Sequence, residues 1–265
     1  MLRALYSSAT GMKAQEMMID NTANNLANVN TPGFKRSRID FADMIYTNHR
    51  MPGTSVGNGQ VSPTGLQIGN GVRVVATNKH FSPGAAEQTG NPLDMMIEGD
   101  GFFEVQLDNG ETRYTRAGGF RIDDQGRLVN GDGLPMVPNV TIQPGIDFNR
   151  ITVGTDGRIQ GQPTGTDQPA VDLGQIQIST FPNASGLSNE GGNLFAKTAA
   201  SGPATPANPG SAGFGIIRGG TLEGANVEVV TELISLISAQ RAYEINSRAI
   251  RAGDEMLSTS IDIVR

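Results

Sequence analysis

The sequence predicts an α+β protein: long N- and C-terminal helices form a coiled-coil-like inner domain, and a β-rich middle forms an outer domain. Three observations lead there. Apolar residues recur every seven positions at both ends, and the residues between read as short strands punctuated by turn signals. Gly 35 and Pro 14 together make about 18% of the 265 residues, above the roughly 12% of average usage but below the roughly 25–30% of low-complexity chains. The expected division is residues 1–45 for the N-terminal helix and following turn, 46–80 for an extended loop and linker, 81–215 for the β-rich domain, and 216–265 for a linker and the C-terminal helix.

At the N-terminus Leu5, Met12, Ile19 and Leu26 are seven residues apart, and Leu2, Ala9 and Ala23 take companion positions, with Glu16 the polar exception. This is a seam of nearly four heptads. It stops at Asn30-Thr31-Pro32-Gly33, where a restricted pre-proline residue meets a glycine turn. Asn21, Asn24, Asn25 and Asn28 form an amide ladder beside it. Asparagine is a mediocre helix former, and a solvated face would more cheaply carry Glu, Lys and Arg. Only Glu16 and Asp20 are charged between Ala14 and Phe34, so this face is expected to make neutral hydrogen bonds in a packed environment. A cap-and-turn cluster is the plainer alternative.

The linker Met51 to Gly71, rich in Gly, Ser, Pro and Asn, reads as flexible, as does Ala199 to Gly215 with Pro203, Pro206 and Pro209. The middle reads as a meander of hairpins: Met95 to Glu98, Phe102 to Leu107, the turn Asp108-Asn109-Gly110, Thr112 to Arg116, Phe120 to Asp123 and Gly126 to Val129. Further strands are expected at Ile151 to Val153, Gly174 to Phe181 and Asn193 to Thr198.

At the C-terminus Leu222, Val229, Leu236, Tyr243, Ile250, Leu257 and Val264 repeat at seven without a miss. The partner positions are mixed: Leu233 and Ile261 are apolar, whereas Gln240, Ser247 and Asp254 are polar. Polar residues in such a seam lower stability but fix register and partner. Asn226 is the expected N-cap, with Glu228 in the first turn and Glu244 to Arg248 as a supporting i,i+4 pair.

Several functions are argued against. The net charge of −6, from 20 basic and 26 acidic residues, and the lack of a basic run speak against a nucleic-acid backbone as partner. With no cysteine there is no disulfide or thiol nucleophile. No window approaches 18 consecutive apolar residues. The segment Ser7 to Lys13 lacks the apolar stretch of a cleaved secretory signal, so any export is expected to use another route. Gly53-Thr54-Ser55-Val56-Gly57 matches G-x-S-x-G in letters only: no strand precedes it, and no acid lies between Ser55 and His80, the one downstream histidine. His49 and His80 make no zinc set, Asp123, Asp124 and Asp132 lack calcium-loop spacing, and Gly99-Asp100-Gly101 is not a phosphate loop. No catalytic, metal or cofactor residue is expected.

The two seams pose a burial problem. Helices of about 28 and 38 residues extend roughly 42 and 57 Å, and pairing them leaves most of both surfaces uncovered. Charged residues make only 17% of the chain, against about 25% in a typical soluble domain. Copies of the same chain are the simplest source of cover, which predicts a homopolymer with terminal helices in a tube or bundle and β regions outside. The residues expected at subunit contacts are Leu5, Met12, Ile19, Asn24, Asn25, Leu26, Asn28, Leu222, Val229, Leu236, Gln240, Tyr243, Ile250 and Leu257. Before assembly the ends are expected to lack partners and to order on docking.

The run Ala23 to Lys35, with Asn24-Asn25-Leu26-Ala27-Asn28 and Asn30-Thr31-Pro32-Gly33-Phe34, resembles the N-terminal signature of bacterial flagellar rod and hook proteins. Ile97 to Phe103, Tyr114 to Gly118 and Ala239 to Arg248 are similar to further segments of that family, in the same order. Gly65 to Val72 is most like members from the distal part of the rod, and Gln240 to Arg248 is similar to distal rod and hook members and less like proximal rod ones, whereas Ser258 to Arg265 diverges. The resemblance implies type III export without a cleaved signal, then assembly into a helical tube in the basal body, crossing the periplasm toward the outer membrane. The tube would surround the export channel and carry torque from motor to hook. Implied partners are other copies, proximal rod proteins, the hook protein, the surrounding ring proteins and the export apparatus. The segment Tyr46 to Gly71 is expected to add axial contacts that stiffen the tube. A hook or proximal rod subunit is the alternative within the family. A secreted β-domain binding module is the alternative outside it, although aromatic content of 5% and absence of Trp offer little ligand surface.

Overall fold

A computed structural model describes residues 2–53, 63–163, 165 and 169–264. It divides into two compact units, one of Met1–Ala27, Ser37–Asn78 and Glu228–Arg265, the other of Asn28–Arg36 and Lys79–Val227. The class is α+β, with a helix at each end and a β-rich middle. Residues 54–57 of the G-x-S-x-G match lie outside the described residues.

The first unit holds helix α1 (Leu2–Ala27), strands β1 (Ser37–Asp43), β2 (Thr47–Arg50), β3 (Leu66–Ile68) and β4 (Val72–Lys79), and the C-terminal helix α2 (Val229–Val264). The helices run antiparallel in a steady register. A Cβ added at Gly253 would lie 2.5 Å from Leu5 Cδ2, one at Gly11 would lie 3.1 Å from Asn246 Nδ2, and Asn25 Nδ2 is 3.4 Å from Glu232 Oε2. Position i on α1 therefore faces position of about 257 − i on α2, and two glycines permit the approach. β1 pairs with β4 and β2 with β3, so Met51 to Gly71 is not all loop: Thr47 faces Ile68 and Arg50 faces Leu66 in a hairpin. Gly71 takes φ +111°, and a Cβ there would collide with Thr10 Oγ1 of α1.

The second unit is antiparallel throughout. Its strands are β5 (Ala86–Gln88), β6 (Met95–Glu98), β7 (Phe102–Gln106), β8 (Thr112–Thr115), β9 (Arg121–Ile122), β10 (Leu128–Val129), β11 (Met136–Val137), β12 (Ile146–Val153), β13 (Arg158–Pro163), β14 (Val171–Gln175), β15 (Ile178–Thr180), β16 (Ser188–Gly191), β17 (Leu194–Ala196), β18 (Thr205–Ala207), β19 (Ile216–Gly219) and β20 (Thr221–Glu223). The largest sheet has the order β16-β17-β8-β7-β15-β18, with β11 also paired to β7; β12-β13-β14 form a second sheet, and β6-β19, β5-β20 and β9-β10 are pairs. Its main core centres on Met95, Ile97, Phe103, Leu128, Ile159 and Ile178, all fully buried. Phe102, Tyr114, Leu187 and Phe195 form a smaller cluster, in which Tyr114 meets Phe181 edge-on at 4.7 Å.

The strands expected from Met95 to Val129 are present. Gly174 to Phe181 differs, because two residues separate β14 from β15 and place them in different sheets. Ala199 to Gly215 also differs from a flexible linker, since Thr205–Ala207 hydrogen-bonds along Ile178–Thr180. Pro206 is tolerated because β18 ends the sheet and its missing N–H faces away from the partner strand.

Candidate self-assembly surface

The amide ladder closes on its own chain. Asn25, 1% exposed, accepts from Ser37 N at 3.0 Å through Oδ1 and donates to Ser37 O at 2.9 Å through Nδ2. Asn21 Nδ2 donates to the same carbonyl at 2.9 Å. A side-chain amide thus imitates a β-bridge at the first residue of β1, satisfying buried backbone groups that helix and strand geometry leave unpaired. Asn28 serves a turn instead: its carbonyl accepts from Thr31 N at 3.1 Å and its Oδ1 from Thr31 Oγ1 at 3.2 Å. Asn24 is exposed on α1. So Asn25 is taken up by contacts within the chain.

The heptad positions are placed unevenly. Leu5, Met12, Ile19 and Leu26 are half-buried, but their companions Ala9, Glu16 and Ala23 are exposed. On α2, Leu236, Ile250 and Leu257 are half-buried, while Val229, Gln240 and Tyr243 are exposed, as are Leu233 and Asp254. The covered seam of α2 is instead Glu232, Ala239, Asn246 and Gly253, one position before the expected partner series. Gly253 lets α2 close on Leu5 of α1, and Ala239 is likewise small, while Glu232 and Asn246 are polar; a count of large apolar residues detects none of the four. Leu222 is not on the helix. It sits in β20, held extended by its pairing opposite Glu87, and its place in the series of seven is coincidental. Nor does Asn226 cap α2: its Oδ1 accepts from Arg36 N at 2.6 Å and its Nδ2 donates to His80 O at 2.8 Å. Glu228, directly before the helix, accepts from Glu232 N at its carbonyl. The Glu244–Arg248 pair is present at 3.9 Å on the surface.

In the second unit the motif residues Lys35 and Arg116 meet Glu223. Lys35 Nζ donates to Glu223 Oε1 at 2.6 Å and to Ser82 O at 2.8 Å, with both charged side chains fully buried. Arg116 donates to Gly99 O at 2.9 Å and lies 3.7 Å from Glu223 Oε2. Burial pulls the Lys35 ammonium below the usual lysine range, Glu223 opposes that shift, and Arg116 adds to it. Arg116 is lowered by burial as well, against the pull of Glu223 and Asp100. Two cations on one carboxylate form a structural clamp, and neither Lys35 nor Glu223 has access to solvent for chemistry. Sequence reading missed Glu223, because a lone acid in a Gly-rich stretch carries no visible link to Lys35.

Among the described residues no group of three or more His, Cys, Asp and Glu is placed to hold a metal ion, and no helix is long and apolar enough to cross a membrane. What stands out is uncovered apolar surface. Among the described residues, every exposed large apolar side chain apart from Phe148, Val171 and Ile216 lies in the first unit, among them Ile45 at 88% exposure, Val230, Ile234, Ile245 and Ile261. Within α1 and α2 the described buried residues are Ala14, Thr22, Asn25, Glu232, Ala239 and Gly253. No large apolar side chain is fully buried in either helix among them. Such a hairpin recovers little of the roughly 1–2 kcal/mol per residue that ordering its backbone costs. Exposed apolar stripes of this kind mark a contact surface.

Residues 5–35 match the family model described as flagella basal body rod protein, residues 96–161 that for the flagellar hook protein FlgE/F/G D1 domain, and residues 218–263 that for the flagellar basal body rod FlgEFG protein C-terminal region. The chain is 42% identical over 265 residues, covering 100% of both, to the flagellar basal-body rod protein FlgG of Borreliella burgdorferi. It is 43% identical over 260 residues to FlgG of Caulobacter vibrioides, covering 98% of each. Similarity to the flagellar hook protein FlgE of Helicobacter pylori is 35% over 218 residues, covering 79% of this chain and 30% of that one.

Proposed function

Because the chain belongs to the bacterial flagellar basal-body rod protein family, we infer that it is a structural subunit of the distal rod, which polymerises into a helical tube around the export channel and carries torque from motor to hook. One observation on the molecule itself supports this above the rest: its uncovered apolar surface is concentrated on the unit built from the two terminal helices. In an isolated chain that surface stays in contact with water. In a tube, further helices cover it and convert it into cohesive energy. In this reading α1 and α2 of many copies pack as a coiled-coil-like inner layer, and the strand-rich unit forms the outer wall. Leu5, Met12, Ile19, Asn24, Leu26, Val229, Leu236, Gln240, Tyr243, Ile250 and Leu257 then sit at or beside subunit contacts.

The exposed Ile45, Tyr46, Leu66 and Ile68 around the β2–β3 hairpin support extra contacts there between copies, and with them a stiffer tube. The rod reading places the polymer between proximal rod proteins and the hook protein, inside the basal-body rings, with subunits delivered by the flagellar export apparatus. Similarity over the full length of the rod relatives, against 30% of the hook relative, favours the rod over the hook. Electron microscopy of purified basal bodies carrying a tagged copy tests it: label is expected on the rod segment next to the hook, and label on the hook or on no part of the basal body would overturn the assignment.

A further inference from the structure

The first unit contains an apolar groove of about 390 Å³, floored by Ala14, Met17, Met44 and Val74 and flanked by Lys13 and Arg73. No acidic side chain lines it, and neither cation forms an ion pair among the described residues. Two cations beside an apolar trough suit a ligand that is apolar with an anionic edge.

The first turns of α2 have that composition. Val230, Ile234 and Ile237 lie at i, i+4 and i+7, on one helix face, and are 64%, 60% and 50% exposed. Glu228 precedes them, and no Lys or Arg occurs from Gly219 to Gln240. The chain cannot fill its own groove with this face. In the antiparallel register Ala14 lies level with residue 243, so Ile234 is roughly 14 Å further along the hairpin at 1.5 Å per residue.

We propose that the groove of one copy receives the Val230–Ile237 face of α2 from a second copy, with Glu228 brought toward Lys13 and Arg73. The inference rests on the self-assembly reading and names the surfaces it uses. Groove and ridge are different patches of the same chain, so the contact is heterologous. Each added copy presents a new groove and a new ridge, which gives an open-ended polymer rather than a closed dimer.

The absence of cysteine allows a direct test. Rods are isolated from cells producing two single variants, Met17→Cys and Ile234→Cys, and oxidised. A disulfide-linked dimer containing one of each variant is expected, at a yield at least tenfold above that of Met17→Cys combined with Phe148→Cys. Rods that form but give no excess over the Phe148 pair, or a Met17→Cys linked to a different protein, overturn the docking proposal and leave self-assembly standing. Failure of the unsubstituted chain to enter a rod overturns both. Should either cysteine block assembly, charge reversal decides: Lys13→Glu and Glu228→Lys are each expected to reduce rod yield severalfold, and the double variant to restore it. No restoration overturns the proposal.

Discussion

Asn25 grips Ser37 by both backbone groups, accepting from its N–H at 3.0 Å and donating to its carbonyl at 2.9 Å. The same Nδ2 lies 3.4 Å from the buried Glu232 carboxylate, so one amide ties α1, β1 and α2 together. Asn25→Ala leaves a buried donor and an acceptor short of a partner, a loss of about 1–3 kcal/mol. Asn25→Asp keeps the acceptor but sets a second carboxylate beside Glu232, and is expected to be no better. The loss is read in the polymer, where α1 and α2 are ordered: rods built from either variant should dissociate at a lower urea concentration than rods of the parent chain.

The buried Lys35–Glu223–Arg116 clamp tolerates loss of its anion worst. Glu223→Ala strands two cations in the core of the second unit and is expected to cost about 3–5 kcal/mol, read as a fall in thermal midpoint or as loss of soluble chain.

The same clamp fixes a pH dependence. Burial is the largest influence on Lys35 and lowers its pKa, so in the alkaline window below the ordinary lysine value the unfolded state binds more protons than the folded one. The contribution of Lys35 to stability therefore rises with pH across that window. Lys35→Met lacks it. The stability of the parent relative to Lys35→Met should increase as pH rises through the window; a flat or falling difference would count against the buried ammonium.

Gly118 closes the motif that begins at Tyr114. A Cβ at this position would overlap the Met95 carbonyl oxygen, while the Met95 N–H donates to Gly118 O at 2.9 Å. Backbone cannot swing aside as a side chain does, so Gly118→Ala is expected to destabilise the second unit by about 1–3 kcal/mol or more. Gly110→Ala is the control for space, since a Cβ there meets nothing within 4 Å; its φ of +84° leaves only a local backbone cost. Differential scanning calorimetry separates the two.

Much of this architecture is legible in the chain, and the failures share a cause. The helices, their ends near Ala27 and Val264, and the hairpins from Met95 to Val129 follow from periodicity and turn residues, which are local. Leu222 misleads because a spacing of seven says nothing about the strand pairing with Glu87. The covered seam through Glu232, Ala239, Asn246 and Gly253 is invisible to a search for large apolar residues, since two of its members are small and two are polar. Glu223 and Asn226 act on partners more than 130 residues away in sequence, and no pattern in one chain reveals such pairs.

Shortening the β2–β3 hairpin probes stiffness apart from folding. Removing Thr47–Ile68 takes away the exposed Met51, Leu66 and Ile68 and leaves α1, α2 and the β1–β4 pairing in place. Export and helix content are expected to persist, and rods built from the shortened chain to bend more, measured as a shorter persistence length in electron micrographs. An unchanged persistence length would show that the hairpin carries no load.

Hydrogen exchange addresses the deepest requirement of the assembly reading, that the helical hairpin is incomplete alone. Its described buried residues are Ala14, Thr22, Asn25, Glu232, Ala239 and Gly253, which bury little apolar area to oppose the cost of ordering more than 60 helical residues. Helices in proteins draw most of their stability from tertiary packing of an apolar face, and here Val230, Ile234, Ile237 and Ile245 face outward and the heptad residues are at most half-buried. Amides of α1 and α2 in the monomer should therefore exchange close to the unfolded rate, while those of the sheet containing Phe103 and Ile178 are strongly protected. In the polymer the helices should become protected as well. Strong protection of α2 in a dilute monomer would mean that the hairpin is stable without neighbours, and the exposed Val230, Ile234 and Ile245 would then need another explanation.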